Sequence, residues 1–294
     1  MKKLTVFTPT YNRAHLLPVL YASLCRQTNK DFLWLIIDDG SKDDTETFVR
    51  AWQVENKIPI EYYKKENGGI HTAYNIGIEK CDTELFICID SDDFPPDNAV
   101  ELILDVWKKK GSKDVAGIIG QDFVIDGESV GGELPNVEKV SILDLETKYG
   151  YRGDIKMVHR TELLKEVAPM RIFKNEKNFN PIYLFLKIDQ KFPMLVLNEN
   201  LCFVDYQPDG MANNILKQYL NSPNSFAELR LMNMSMPGAP FSFVFRHAVH
   251  YISSAILARK TDWLSKSPHK VPVILAIPFG VLLTIYLKIK VKSN

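Results

Sequence analysis

The sequence predicts an α/β protein with a mostly parallel sheet flanked by helices. Short apolar runs alternate with amphipathic helical stretches from residue 4 to about residue 110, and a polar cluster follows each apolar run. Such alternation is typical of βαβ units with right-handed crossovers. Ligands bind such sheets beyond the carboxyl ends of the strands, so the four polar clusters predict one shared pocket.

The first half contains four predicted strands, each followed by a predicted helix. The second strand is apolar throughout, as expected for a strand covered on both faces. Asn12 is a candidate cap for the first helix, and Ser41 or Asp43 for the second. The strands are predicted at 4–10, 32–41, 60–69 and 84–90, and the helices at 14–27, 41–56, 71–81 and 98–111.

The pattern from about residue 115 to 205 is less regular. Three further runs are rich in β-branched and aromatic residues, and one apolar helical stretch precedes the last of them. These strands are predicted at 115–125, 155–160 and 194–206, and the helix at 183–190.

The C-terminal region predicts membrane attachment. Residues 271–287 carry no charge, lysines flank them on both sides, and Trp263 precedes them. Lysine and tryptophan suit the headgroup layer of a bilayer. Because Pro272, Pro278 and Gly280 weaken a straight helix, we expect an interfacial or re-entrant segment. A true span and a buried hairpin of the core are the alternatives.

Composition and charge exclude several classes. Thirty-six basic residues balance thirty-six acidic ones, so no global field indicates a nucleic-acid partner. The four cysteines lack metal-ligand spacing and are expected to be small buried hydrophobes in a reducing compartment. The N-terminus has the pattern of a first strand rather than a secretory signal, so the catalytic part is expected in the cytoplasm.

The stretch ICIDSDDFPP, residues 87–96, places Asp90, Asp92 and Asp93 at the end of a predicted strand. Alternation in extended backbone puts the first two carboxylates on one side of the chain, where they repel unless a cation lies between them. Oxygen ligands of this kind select Mg²⁺ or Mn²⁺, which neutralise a diphosphate leaving group. A solvated acidic turn is the alternative.

The order TPTYNR, IIDDGSKDDT, ENGGIHTAYNIGI and FICIDSDD resembles family 2 glycosyltransferases of the GT-A fold, in particular capsule and exopolysaccharide enzymes of bacteria. The resemblance implies inverting transfer of a sugar from a nucleotide-diphosphate donor, such as a UDP-sugar, with a divalent cation. It also implies a nucleotide-sugar-binding half at 1–110 and an acceptor-binding half at 111–205. The remaining residues, 206–294, would form a helical, membrane-associating extension.

The same resemblance implies roles for individual residues. Asp92 would bind the metal directly, and Asp90 would face the metal and the donor. Asp39 would contact the base. The implied donor-binding residues are Pro9, Tyr11, Asn12, Asp39, Asn67, His71, Asn75, Asp90 and Ser91.

The third loop departs from the family pattern. Many members have Ala-Arg-Asn where this chain has Ala73-Tyr74-Asn75, so a cation that would help to hold the diphosphate is absent. Ile70 stands where related enzymes often have lysine. His71 is a candidate donor to phosphate, or alternatively a histidine packed on the surface at a helix start.

The resemblance also implies a general base from the second half of the chain. Inverting transfer needs a carboxylate that takes the acceptor proton. The resemblance places a glutamate just before the IYLFLKID helix, where this chain has Pro181 beside Asn180. Glu176 and Asp154 are the candidates. A base from elsewhere, impaired activity, and a solvated loop charge at Glu176 are the alternatives.

These observations favour a membrane-associated glycosyltransferase that acts on a lipid-linked or polysaccharide acceptor at the cytoplasmic face of the cell membrane. Two other classes stay open. A phosphohydrolase could use a DxD sequence at a strand end, although Phe94 stands where that chemistry needs threonine or valine. A non-catalytic protein that binds a nucleotide sugar or carbohydrate would need no base.

Overall fold

The computed structural model describes residues 2–125, 127–207, 210 and 213–292, and within them the chain forms eight strands and twelve helices. The strands are β1 Leu4–Thr10, β2 Phe32–Asp38, β3 Ile60–Lys64, β4 Leu85–Cys88, β5 Gly117–Val124, β6 Lys139–Val140, β7 Ile155–Arg160 and β8 Met194–Val204. The helices are α1 Leu17–Arg26, α2 Thr45–Glu55, α3 Ile70–Lys80, α4 Ala99–Lys110, α5 Ile142–Thr147, α6 Thr161–Val167, α7 Ile182–Asp189, α8 Ile215–Asn221, α9 Pro223–Met234, α10 Phe241–Leu257, α11 Trp263–Lys266 and α12 Lys270–Lys292.

The strands form one sheet in the order β3-β2-β1-β4-β7-β5-β8-β6. The first four strands are parallel, and β5 is parallel to β8. Only β7 and β6 run in the opposite direction. The predicted α/β class with a mostly parallel sheet is therefore confirmed. The domain boundaries at residues 110 and 205 stay predictions, since β5 to β8 complete the sheet that β1 to β4 begin.

Two apolar cores cover the two faces of the sheet. One lies under α1, α2 and α4 and includes a stack of Tyr21, Trp34 and Trp52. The other lies under α3, α6 and α7 and includes Phe7, Tyr74 and Phe86. A sheet covered on both faces explains why the strands of the first half are nearly continuous apolar runs.

The predicted helix caps are only partly correct. Asn12 does not cap α1, which begins five residues later, at Leu17. Its φ is +52°, and its side-chain oxygen accepts a hydrogen bond from Lys42 N at 2.8 Å, so it joins two loops instead. The N-cap of α2 is Asp44, and Asp43 lies one residue before it, where its Oδ1 accepts a hydrogen bond from Thr45 N at 3.2 Å.

Several short elements of the second half were not predicted from the sequence, among them β6, α5 and α6. Helix α5 is only six residues long, and a distant residue stabilises its start. The Asp189 carboxylate, at the end of α7, accepts hydrogen bonds from Ile142 N at 2.7 Å and Leu143 N at 3.1 Å. A contact between residues so far apart in sequence leaves no local pattern.

The C-terminal helix α12 is continuous through Pro278 and Gly280, so the buried hairpin alternative is wrong. Pro272 lies in the first turn, where its missing N–H has no helical partner to lose. A Cβ on Gly280 would lie 2.5 Å from Ile252 Cγ2 of α10, so glycine permits close packing here. Residues Lys270–Val291 are long and apolar enough to cross a membrane, with a mean hydropathy of 2.0 and 28% of the most apolar window buried.

Buried His159 gives the fold a pH dependence. Its ring stacks on Phe185 with centroids 4.3 Å apart, and neither ring nitrogen has a hydrogen-bond partner among the described residues. Burial lowers its pKa to about 3. An unfolded histidine has a pKa of about 6.5. Below that pH the unfolded state binds a proton that the folded state does not bind, so the free energy of unfolding decreases as the pH is lowered.

When the pH is lowered from about 7.5 to about 5, we therefore expect His159→Phe to lose about 2 kcal/mol less unfolding free energy than wild type loses. Denaturant titrations of wild type and variant at both pH values measure the difference. The exposed His15 provides the control, and His15→Phe should leave the loss unchanged. An equal pH dependence in His159→Phe and wild type would refute this assignment.

Candidate active site

Polar loops meet at one end of the sheet, as the sequence predicts. This end, called here the carboxyl end, holds the loops after β1, β2, β3, β4, β5 and β8 and the residues just before β7. Contacts join these loops directly. Asn12 N donates to Ser41 Oγ at 2.8 Å, which links the loops after β1 and β2.

The first loop exposes an aromatic ring. Tyr11 is exposed, and Pro9 before it is half-buried within β1. Asn12 is held against the β2 loop through its backbone N–H and its side-chain oxygen, as described above. An exposed ring on a fixed loop is available to stack on a planar base.

Asp39 fastens the loop after β3, defined here as residues 65–69. Its carboxylate pairs with Lys65 and accepts hydrogen bonds from Asn67 Nδ2 at 3.1 Å, Gly68 N at 2.9 Å and Gly69 N at 2.8 Å. Both oxygens therefore already have protein donors. A contact with a nucleotide base would share these oxygens or replace some of the donors.

His71 and Asn75 face the second half of the chain rather than an open cleft. His71 is fully buried, so it is not the surface histidine of the alternative, and burial lowers its pKa and favours the neutral ring. Asn75 exchanges hydrogen bonds with the Met170 backbone, at 2.9 Å to its O and 2.7 Å from its N. The Met170 contacts favour a structural role for Asn75, and complete burial favours one for His71.

The DSDD turn, residues 90–93, begins two residues after the end of β4 at Cys88. Asp93 N donates to Asp90 O at 3.1 Å, which closes the turn, and Ser91 is buried within it. Asp90 and Asp92 are only partly buried. Burial and the neighbouring Asp90 charge raise the pKa of Asp92 above its ordinary value. Two partly desolvated carboxylates of like charge therefore lie together at the carboxyl end.

This pair fits a divalent cation whose coordination is completed by other ligands. Within the described residues, no group of three or more His, Cys, Asp or Glu side chains could hold a metal by itself. Mg²⁺ is typically bound through one or two carboxylates, with water and substrate phosphates as its other ligands. Asp90 and Asp92 would supply the protein's part of such a shell.

A buried lysine lies behind the turn. Lys156 Nζ is 3.4 Å from Asp93 Oδ2 and 3.7 Å from Asp122 Oδ1. Burial raises the pKa of Asp93 to about 7 and that of Asp122 to about 6, and Lys156 opposes both rises. Burial alone would lower the pKa of Lys156, but the surrounding acids, Asp122 first, raise it well above its ordinary value.

Sequence reasoning missed Lys156 and Asp122. Asp122 is the single charged residue of the strand GIIGQDFV, and Lys156 is one of two in IKMVHR, with Arg160 at its end. Charges are rarely buried without a partner, so a charge in each of two predicted strands was the available signal. The strand order, which places β7 between β4 and β5, is needed to see that the two charges meet.

Asp154 lies just before β7, at the same end of the sheet. It is exposed, and the Tyr206 hydroxyl donates a hydrogen bond to its Oδ2. Tyr151 OH donates to its backbone O at 3.3 Å. Asp154 is therefore an oriented carboxylate that is open to solvent at the carboxyl end.

Glu176 is a helix cap rather than a free carboxylate or a solvated loop charge. Its Oε1 accepts from Asn224 N at 2.8 Å and Asn224 Nδ2 at 2.7 Å. Its Oε2 accepts from Ser225 N at 2.8 Å and Ser225 Oγ at 2.7 Å. Four donors surround this buried side chain at the start of α9, where the helix dipole also favours negative charge. No oxygen is left to take a proton from an acceptor.

A family model described as "Glycosyl transferase family 2" matches residues 5–178, more than half of the chain. The chain belongs to glycosyl transferase family 2. Among family 2 relatives, an uncharacterised glycosyltransferase of Rickettsia conorii is 30% identical over 48% of this chain and 22% of its own length. TarP of Staphylococcus aureus, a poly(ribitol-phosphate) β-N-acetylglucosaminyltransferase, is 29% identical over 59% of this chain and 54% of its own length. The chain thus spans about half or less of these curated relatives.

Solved structures share the GT-A fold of this family 2 chain. S. aureus TarS residues 1–349 in complex with UDP-GlcNAc has a TM-score of 0.63 and 17% identity, and the match covers 99% of this chain and 92% of that one. The mannosyltransferase PcManGT of Pyrobaculum calidifontis, in complex with GDP-Man and Mn²⁺, has a TM-score of 0.55 and 15% identity over 95% and 87% of the two chains. At such identities the likeness shows the fold alone.

Proposed function

We propose that this protein transfers a sugar, with inversion, from a nucleotide-diphosphate donor to a glycan or lipid-linked acceptor. The observation that carries the proposal is the pair Asp90 and Asp92, two partly desolvated carboxylates at the carboxyl end of a parallel sheet. A UDP-sugar is the favoured donor, because TarS binds UDP-GlcNAc and the relative TarP is an N-acetylglucosaminyltransferase.

The residues divide into two groups in this proposal. Tyr11, Asn12 and Asp39 would position the nucleoside, with Pro9 and Asn67 shaping the loops around it. Asp92, with Asp90, would hold Mg²⁺ or Mn²⁺ at the diphosphate. The cation supplies neutralisation of the negative charge on the leaving diphosphate. The Mn²⁺ in the PcManGT complex supports this cofactor.

Asp154 is the candidate base, because hydrogen bonds from the start of α9 engage both carboxylate oxygens of Glu176. The Tyr206 hydrogen bond fixes the orientation of the Asp154 side chain and engages only Oδ2. A carboxylate that is exposed at the carboxyl end and held in one orientation is suited to take a proton from an acceptor hydroxyl. The role requires the acceptor to bind on the side of the DSDD turn nearest β7.

The occupied Glu176 also supports a second candidate function, a non-catalytic protein that binds nucleotide sugars. Helix α7 has Pro181 as its N-cap, and the side chain that accepts from its first N–H is the Asn180 amide, at 2.9 Å from Ile182 N, so no carboxylate stands at that helix start. Such a protein would bind the donor without transfer.

The test is a panel of nucleotide sugars measured for binding by calorimetry, with Mn²⁺ and with EDTA. We expect one UDP-sugar to bind with Mn²⁺ and to lose most of its affinity with EDTA. Release of UDP in the presence of lipid-linked or polysaccharide acceptors then separates transferase from binding protein. Strong binding that is indifferent to EDTA would contradict the metal role.

The surface of α12 supports a membrane-bound acceptor. Exposed apolar side chains cover one face of the helix, about half of its circumference, and lysines flank the apolar stretch. Helix α8 contacts α12 and also meets the loop containing Glu176, since Asn178 Nδ2 donates to Gln218 Oε1. The apolar surface is therefore connected, through α8 and this loop, to the loop after β3, because Lys177 Nζ donates to Asn67 Oδ1. We place the enzyme at the cytoplasmic face of the membrane.

Charging this surface should release the protein from membranes. We expect the triple variant Leu275→Glu, Leu282→Glu and Ile289→Glu to lose most sedimentation with anionic liposomes, since exposed carboxylates replace apolar area and are repelled by the anionic surface. The control places the same substitutions on exposed apolar residues elsewhere, Val19, Val54 and Tyr63, and should sediment like wild type. Equal sedimentation of both triple variants would contradict the assignment of α12.

A further inference from the structure

Lys156 is a charged side chain whose burial costs free energy. It lies on β7, is 8% exposed, and its ammonium group is 3.4 Å from Asp93 and 3.7 Å from Asp122. Removing an ammonium group from water costs several kcal/mol, and a buried ion pair recovers this only in part. An apolar residue would fill the same place in the strand without that cost.

The lysine reaches the candidate metal site through one carboxylate. Asp93 follows Asp92 directly, and its backbone N–H closes the DSDD turn on Asp90 O. Its Oδ2 faces Lys156, and its Oδ1 accepts a hydrogen bond from Asp205 N at 3.3 Å. One side chain thus joins the ends of β4, β7 and β8.

We propose that Lys156 is a positioning residue of the donor site. It holds Asp93, the third acid of the DSDD turn, away from the cation position and leaves Asp90 and Asp92 to bind a single divalent cation. Because Lys156 is buried, it acts through Asp93 and does not touch the donor. The inference rests on the proposed function and adds a residue to it.

Charge explains why such a residue is needed. Three carboxylates within four residues repel one another, and Asp122 adds a fourth negative charge behind them. With Lys156 in place, Asp93 and Asp122 share one fixed positive charge. Without it, Asp93 would turn towards the same cation as Asp90 and Asp92, and that change distorts the turn.

The fold does not depend on this ion pair alone. Phe94, directly after the turn, is bridged to Phe203 of β8 by hydrogen bonds of 3.1 Å and 2.8 Å. This bridge fastens the turn to the sheet independently of Lys156. We therefore expect a neutral residue of similar length at position 156 to preserve the fold.

The experiment compares Lys156→Met with wild type by titration of Mn²⁺, and then of UDP with Mn²⁺ or with EDTA. We expect Mn²⁺ affinity to fall by about tenfold or more, the usual effect of losing a residue that orients a metal ligand. UDP affinity in EDTA should change by less than about twofold, because Lys156 has no contact with the nucleoside positions. The matched control is Lys165→Met, whose ion pair with Asp82 is also 3.4 Å but lies at the opposite end of the sheet.

A merely structural lysine would give a different result. Lower thermal stability with Mn²⁺ affinity within about twofold of wild type would overturn the proposal. If Lys156→Met does not fold, the double variant Lys156→Met/Asp122→Asn removes one of the two carboxylates that the lysine neutralised. Asp93 still lacks the lysine ammonium group in this variant. It should still lose Mn²⁺ affinity, and wild-type affinity in it would equally overturn the proposal.

The two proposals fail in distinguishable ways. A wild-type protein that binds neither Mn²⁺ nor any nucleotide sugar contradicts the proposed function and this inference together. A wild type that binds both, with a Lys156→Met variant that binds equally well, contradicts this inference alone.

Discussion

Asp92→Asn is expected to reduce sugar transfer by about a thousandfold, which corresponds to about 4 kcal/mol of transition-state stabilisation. The substitution keeps the size of the side chain and removes the charge that would bind the cation. The diphosphate would then leave without neutralisation. Binding of UDP with Mn²⁺ should weaken towards the value measured in EDTA, because the affinity that depends on the metal is lost.

Initial rates of UDP release and calorimetric UDP titrations measure both effects. Asp105→Asn is the control, since Asp105 is an exposed aspartate on α4 paired with Lys109 and lies away from the carboxyl end. Transfer by Asp92→Asn at more than about a tenth of the wild-type rate would contradict the metal role of this residue.

Glu176→Gln is expected to lower the free energy of unfolding by about 3 kcal/mol. The carboxylate accepts four hydrogen bonds, two of them from backbone N–H groups in the first turn of α9. An amide has one acceptor oxygen, and its NH₂ group would face donors. Buried N–H groups left without partners make the change costly, and the favourable charge at the helix N-terminus is lost as well.

Denaturant titration gives the stability change, and Glu166→Gln, on the exposed side of α6, should stay within about 0.5 kcal/mol of wild type. The same variant distinguishes the cap from a catalytic base. If Glu176→Gln keeps wild-type stability but loses transfer, the helix-cap account is wrong and Glu176 is restored as a candidate base.

The sequence was informative where local pattern and topology agree. Apolar runs such as FLWLIID are covered on both faces, so they are recognisable as strands of a parallel sheet. Parallel strands bring their carboxyl ends together, so the clusters around Asp39 and Asp92 could be placed in one pocket before any coordinates. The predicted helices end within a few residues of the observed ones.

It was uninformative where partners lie far apart along the chain. The hydrogen-bond donors to Glu176, on Asn224 and Ser225, lie 48 and 49 positions later in the sequence. No residue near Glu176 in the sequence indicates a helix cap. Lys156 meets Asp93 only because β7 is inserted beside β4. Pro272, Pro278 and Gly280 weaken the sequence pattern of a straight helix, but α12 is continuous, and Gly280 permits close packing on α10.

The most direct test of the central claim is a crystal structure of the protein with UDP and Mn²⁺, with the metal located by its anomalous signal. The account predicts one Mn²⁺ about 2.1 Å from an Asp92 oxygen and bridged to the diphosphate, with Asp93 still facing Lys156. A nucleotide bound at the carboxyl end without metal at the DSDD turn, or a nucleotide bound elsewhere, would contradict it.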